Sequence, residues 1–335
     1  MRHTAIHNLA SRLRKGDRSA LSKAITLVES EHDDHQDKSE TLFRHLAATG
    51  LRHSVRIGIT GATGVGKSTF INTLGTILIG HGHRVAVLAV DPTSTLAGGS
   101  ILGDKTRMSE LTRHEACYIR PSPSGRNTDG VGDRTGEAAL LCEQACYDFV
   151  IIETTGTGQT NVLVSEIADI FLLLVAPHGG DELQGIKRGV MELADFVLVT
   201  KNDGEHAATA GRTCAEYASA LRLLRHRRGD PDQVPNAMTV SSLCADTVMS
   251  CWQSVEELIA WRRDHGTLLE RRQRNSAKRL ESEIRLQILN RIRNDAALAT
   301  RLEDLAHEVA RSGTSPMAAA REILDALSSC RDIQP

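Results

Sequence analysis

The sequence predicts an α/β fold, a mainly parallel sheet flanked by helices, with helical extensions at both ends of the chain. Three observations predict it. Short β-branched runs alternate with helical stretches between residues 55 and 240. These runs are nearly continuous in apolar character, as strands covered on both faces are. The strand signal is absent before residue 50 and disappears after about residue 246.

Residues 1–50 read as an N-terminal helical extension. Leu21, Ala24, Ile25 and Val28 recur at helical spacing, and a polar break covers 31–37. Candidate strands are 55–59, 85–90, 149–152, 170–175, 196–199 and 237–240, within a nucleotide-binding domain of 51–245. The remainder, 246–335, reads as helices over 252–272, 275–295 and 300–328. Leu280, Ile284, Ile288 and Ile292 lie four apart on one of them, and 313–316 breaks the last stretch. Arg interleaved with Glu marks this arm as a solvated or subunit-facing set of helices.

Composition narrows the function. With 40% hydrophobic and 24% charged residues, the 335-residue chain has the make-up of an ordinary soluble protein. Only 3% of residues are aromatic, which argues against stacking platforms for single-stranded nucleic acid. A formal charge of −2 gives no overall pull toward nucleic acid or anionic lipid. No run approaches the ~18 apolar residues of a membrane span. The start of the chain lacks the apolar stretch of a secretory signal. Seven cysteines without a C-x-x-C pair read as buried thiols in a reducing compartment, so a cytoplasmic location is expected. Cys142 and Cys146 could share a helix face, but a metal site needs further ligands.

The strongest motif is Gly61, Ala62, Thr63, Gly64, Val65, Gly66, Lys67, Ser68 and Thr69, which fits G-x-x-x-x-G-K-[ST] between a strand and a helix. Glycines let the backbone curl so that successive N–H groups point at phosphate oxygens. The helix N-terminus adds partial positive charge. Lys67 is expected to bridge the β- and γ-phosphates, and the Ser68 hydroxyl to ligate Mg²⁺. Glu153, at the end of the run 149–152, is the expected metal-holding acid. Gly156, shortly after it, is placed to contact the γ-phosphate. Asp91 ends another strand and is a second metal candidate.

Thr200, Lys201, Asn202 and Asp203 follow the strand at 196–199 and resemble the N-K-x-D guanine-reading motif. The Asp203 carboxylate can accept from N1–H and the exocyclic amine of guanine, two charge-assisted bonds of roughly 1.5–3 kcal/mol each. Adenine offers neither donor. Lys201 can lay its stem over the base, and Ser241, Ser242 and Leu243 are positioned like the second guanine loop. Thr200 stands where Asn is usual, and its shorter hydroxyl cannot make both contacts of an amide.

Further segments carry a family resemblance: Asp91-Pro92-Thr93-Ser94-Thr95, the stretch 98–108 around Gly103-Asp104-Lys105, and Asp181-Glu182-Leu183-Gln184-Gly185-Ile186-Lys187. Together with the phosphate loop they are similar to the MeaB/MMAA/ArgK GTPases, chaperones of adenosylcobalamin-dependent acyl-CoA mutases. The likeness runs from about residue 9 to 245, so no mitochondrial transit peptide is expected. It implies GTP/GDP and Mg²⁺ as ligands, with Asp91, Asp104 and Glu153 around the metal, mostly through water. Residues 92–108 resemble a first switch, and Gly156, Gly158 and Gln159 a second. The stretch 179–187, with Asp181, Glu182, Gln184 and Lys187, is similar to the third switch, which signals to the mutase. The resemblance also implies a homodimer through the C-terminal helices, with cobalamin on the partner and not on this chain.

Thr200, Thr160-Asn161 in place of Ser-Glu, and Cys244-Ala245-Asp246 depart from the family pattern, which marks a divergent member. No arginine finger is evident in cis, so intrinsic hydrolysis is expected to be slow. Two alternatives stay open: a metal-insertion GTPase, for which His114 with Cys117 is the nearest ligand pair, and a P-loop kinase of a small molecule. The D-x-H-x-x-G signature of a cobalamin enzyme is missing.

Overall fold

The computed structural model describes residues 2–30, 32–50, 52–91, 108–123, 134–154, 158–177, 188–224 and 229–329. Among these, seven strands form one parallel sheet: β1 (Val55–Gly61), β2 (Val85–Asp91), β3 (Cys117–Pro123), β4 (Phe149–Thr154), β5 (Ile170–Val175), β6 (Phe196–Val199) and β7 (Asn236–Thr239), in the order β3-β2-β4-β1-β5-β6-β7. The α/β class read from the alternating pattern is the class observed. β3 is the strand that pattern missed, because Arg120, Pro121 and Pro123 interrupt its apolar run at a sheet edge.

The helices are α1 (Arg2–Arg14), α2 (Arg18–Val28), α3 (Asp33–Ala48), α4 (Lys67–Gly80), α5 (Ser109–Arg113), α6 (Thr135–Gln144), α7 (Gly158–Ile167), α8 (Arg188–Leu193), α9 (Ala207–Arg222), α10 (Ala245–Asp264), α11 (Thr267–Asn294), α12 (Ala296–Ala310) and α13 (Pro316–Ser329). Alternate strand residues feed two cores, as the period of two requires. Val150, Ile152, Phe171, Leu173 and Val175 join the core shared with α1–α3 and α6–α9. Ile57, Ile59, Ile151, Leu172 and Leu174 join the opposite core, shared with α4, α5 and α10. Gly58 lets α7 approach β1, for a Cβ there would lie 2.9 Å from Val164 Cγ1 and 2.7 Å from Phe171 Cδ2.

The N-terminal edge of the sheet is stapled by aspartates one residue ahead of three strands. Asp148 accepts from the Arg84 amide at 2.8 Å, Asp169 from the Arg56 amide at 2.9 Å, and Asp195 from the Phe171 amide at 2.7 Å. Each carboxylate prolongs the ladder beyond the strand and so fixes register.

The chain divides into two units, residues 1–275 and 276–335. The expected arm began at 246, but α10 packs on the sheet of the first unit, burying Val248, Cys251, Trp252, Val255, Leu258 and Ile259. In the second unit Ile292, Leu298, Leu305, Ala319 and Ile323 make a small core of their own. Among the described residues no helix is long and apolar enough to cross a membrane.

Candidate nucleotide site

The phosphate loop leaves the C-terminal end of β1, between β4 and β5, where open parallel sheets bind their ligands. Gly61 is the tightest position: its φ is +151°, and a Cβ would meet the Leu174 carbonyl oxygen at 2.2 Å. Gly66 is left-handed (φ +100°) and turns the chain into α4, whose first bond runs from the Phe70 amide to the Gly66 carbonyl at 2.9 Å. Val65 is buried beneath the loop while Ala62, Thr63 and Gly64 are exposed above it. Lys67 is buried and curls over the loop, donating to the Gly61 and Ala62 carbonyls at 2.8 and 3.0 Å. A cradle of this shape, with an ammonium at its centre, matches a chain of phosphates.

Ser68, at the start of α4, donates to Glu153 Oε1 on β4 at 3.0 Å. Glu153 is buried. A hydroxyl and a carboxylate brought together beside a phosphate cradle are hard oxygen donors, the set that Mg²⁺ takes. Asp91 is the last residue of β2, the strand beside β4. Gln159 lies in the first turn of α7. Asp104, Gly156, Asp181, Glu182, Gln184 and Lys187 lie outside the described residues.

Behind the loop three buried side chains meet. Thr60 of β1 donates to Asn161 Oδ1 of α7 at 2.6 Å; the Thr154 hydroxyl of β4 lies 2.8 Å from Thr60 Oγ1 and 3.0 Å from Asn161 Oδ1. Two hydroxyl protons and one amide oxygen satisfy this cluster without a buried charge. A Glu at 161 would bring one.

On the base side, the Thr200 hydroxyl, fully buried, donates to the Val65 carbonyl at 2.7 Å and lies 3.1 Å from the Val175 carbonyl. Lys201 has φ +56° and is exposed. Asp203 accepts from Ser241 Oγ at 2.5 Å, which brings the two base-side loops together. Thr73 of α4 donates to the Ser242 carbonyl at 2.7 Å, a second brace between phosphate and base sides. Leu243 is 82% exposed beside them. Motif reading did not reach Thr60, Thr73, Thr154 or Thr247: a threonine within a strand or helix carries no local signature.

The pair His114–Cys117 is not assembled. His114 is exposed, whereas Cys117 is buried on β3 and its thiol is pushed up to about 12 by desolvation. Cys142 is buried, and Cys146 lies in contact with Arg52.

Comparison with known proteins agrees with this geometry. The family model described as methylmalonyl Co-A mutase-associated GTPase MeaB matches residues 21–297. The chain is 42% identical over 281 residues to GTPase ArgK of Escherichia coli, covering 84% of each chain. It is 39% identical over 333 residues to the mitochondrial methylmalonic aciduria type A homolog of Mus musculus, covering 97% of this chain and 80% of the mouse protein. A crystal structure of a LAO/AO transport system kinase superposes with TM-score 0.76 at 32% identity, covering 97% of this chain and 98% of that one. A P-loop GTPase by fold and by kinship, the chain belongs to the MeaB family of methylmalonyl-CoA mutase-associated GTPases.

Proposed function

We propose that this chain is a GTP-hydrolysing switch, a metallochaperone that gates the loading, protection or reactivation of adenosylcobalamin on an acyl-CoA mutase. The observation that carries the reading is the convergence of a complete phosphate cradle, the Ser68–Glu153 pair and the Asp203–Ser241 pair at one end of the sheet. Family membership supports the mutase as partner.

In this reading the loop 61–69 holds the phosphates, with Lys67 across the β- and γ-groups. Ser68 and Glu153 hold Mg²⁺, joined by Asp91 and Asp104. The ion supplies charge neutralisation on the phosphate oxygens when it is bound. Gly156 and Gln159 attend the γ-phosphate, and Asp203, Lys201 and Ser241–Leu243 receive guanine. Loss of the γ-phosphate is reported to the mutase through 92–108 and through Asp181, Glu182, Gln184 and Lys187. Hydrolysis is slow alone and faster with the partner. Cobalamin resides on the mutase. The second unit is the homodimer contact: Leu280, Ile284 and Ile288 stand 62%, 50% and 37% exposed at four-residue spacing on α11, a stripe suited to a partner helix.

The test is Mg²⁺-dependent hydrolysis of GTP, with ATP as control, with and without an adenosylcobalamin-dependent acyl-CoA mutase. A GTP-selective rate that rises with the mutase is expected. No change with the mutase would overturn the partner and leave the GTPase. Equal use of ATP, with phosphate passed to a small acceptor, would favour a kinase.

A further inference from the structure

The turn after β7 is held by one hydroxyl that no motif singles out. Thr247, in the first turn of α10, places Oγ1 3.1 Å from the Ser241 amide nitrogen and 2.9 Å from the Ser241 carbonyl oxygen. The amide donates to the hydroxyl and the hydroxyl donates to the carbonyl, so one side chain engages both backbone groups of Ser241. The Cys244 carbonyl, 3.0 Å away, shares that single proton. The Cys244 amide returns to the Ser241 carbonyl at 3.0 Å and closes the turn. Cys244 gives α10 no side-chain cap, so the start of the helix is joined to the turn through Thr247.

With its backbone fixed, Ser241 is buried and spends its own proton on Asp203 Oδ2. Oδ2 keeps a further lone pair and Oδ1 keeps its own, so both oxygens can still accept from a base. Asp203 is itself exposed. A carboxylate in that setting, without a fixed donor, distributes over several rotamers. The chain Thr247–Ser241–Asp203 selects one.

We propose that Thr247 is a positioning residue for base recognition: through Ser241 it holds the Asp203 carboxylate in the single orientation that accepts from both N1–H and the exocyclic amine of guanine. The proposal rests on the guanine-reading role given to Asp203 above, and its test separates the two.

The measurement is the affinity of the full chain for GTP and for inosine triphosphate, with Mg²⁺, by titration calorimetry. Inosine lacks the exocyclic amine, so the ratio of the two affinities reports whether the carboxylate is correctly aimed. Thr247→Val is expected to lower that ratio about tenfold, the scale of one well-placed hydrogen bond. Thr247→Ser, which keeps the hydroxyl, restores it. Ser241→Ala breaks the same relay one link later and lowers the ratio alike, so the test survives if the valine variant fails to fold. Equal weakening of both nucleotides, with the ratio intact, would mean that Thr247 serves the fold only and would overturn the proposal. If Asp203→Asn collapses the ratio while Thr247→Val and Ser241→Ala leave it unchanged, this proposal alone falls. If the unaltered chain shows no preference and Asp203→Asn changes nothing, the guanine reading falls and takes the proposal with it.

Discussion

Thr200 Oγ1 lies 2.7 Å from the Val65 carbonyl oxygen and so ties the base-side loop to the phosphate loop. The hydroxyl has one proton, and the Val175 carbonyl at 3.1 Å is the weaker acceptor. Thr200 therefore makes a tether between the loops, and its one proton is spent there. Thr200→Val keeps the shape and leaves a buried carbonyl without this donor, a loss of about 1–3 kcal/mol. We expect affinity for GTP and GDP to fall together, about tenfold, with the GTP-to-inosine-triphosphate ratio unchanged. Calorimetric titration showing unaltered affinity would refute the tether.

Lys67 is buried and already directed at the loop carbonyls of Gly61 and Ala62. Removing the ammonium takes away the cation at the centre of the cradle, so Lys67→Ala is expected to abolish GTP and GDP binding. A fluorescent-nucleotide titration with unchanged affinity would sink the assignment of this loop to the phosphates.

Glu153→Gln separates charge from shape. The amide oxygen still accepts from Ser68, which now donates at 3.0 Å, but the negative charge beside the expected metal is gone. The Mg²⁺ concentration for half-maximal GTP hydrolysis should rise about tenfold, a difference of about 1.4 kcal/mol. A flat response would move the metal-holding role elsewhere, Asp91 being the next acid along the sheet.

Much of this architecture was legible because it is local. The alternation of apolar runs predicted the sheet class, and the nine residues 61–69 carry their own backbone requirements, seen at Gly61 and Gly66. The base side was legible only through order along the chain, since Thr200 and Asp203 follow β6 as a guanine motif does. What pairs with them was not. Val65 is 135 residues from Thr200 and Ser241 is 38 from Asp203; no spacing rule reaches that far. β3 escaped because a proline-containing edge strand lacks the apolar run of an inner one. The place where α10 belongs also escaped: its buried face, Val248 through Ile259, has the pattern of any amphipathic helix, and only packing shows that the sheet covers it.

Burial makes the folded chain sensitive to alkali. Desolvation pushes the Cys117 thiol up to about 12, the Cys251 thiol up to about 11 and the Tyr147 phenol up to about 12, and raises Cys142 further. Their ordinary values are 9.0 for the thiols and 10.0 for the phenol. The folded chain thus holds these protons more tightly than the unfolded chain, so their contribution is complete below pH 9 and lost as pH rises from 9 toward 12. Urea midpoints measured from pH 7 upward should fall beyond pH 9, and thiol reagents at pH 8 should reach Cys117, Cys142 and Cys251 only as the chain unfolds. Rapid labelling of all three in the native state would contradict their burial.

Arg262 gives the sharpest stability prediction. The residue is 1% exposed, and its guanidinium forks onto Asp230 at 2.8 and 2.7 Å, donates to Asp195 Oδ1 at 2.7 Å and reaches the Asp169 carbonyl at 2.7 Å. Burial alone would favour the neutral form, but Asp195 and Asp230 outweigh it and hold the side chain charged. Asp195 is itself buried and anchors the Phe171 amide of β5. Removing the arginine takes the nearest cation from two carboxylates, with Asp195 keeping the more distant Arg271 at 3.5 Å, so Arg262→Ala should destabilise the chain by about 3–5 kcal/mol. Asp195→Asn in the same background should recover part of that loss, because a buried charge deprived of its closest cation is then gone. Chemical unfolding of the two single variants and the double variant tests this directly. Additive losses would show that the pair is not coupled. The network lies at the N-terminal edge of the sheet, the end away from the phosphate loop, so GTP affinity in the folded Arg262→Ala protein should match that of the unaltered chain.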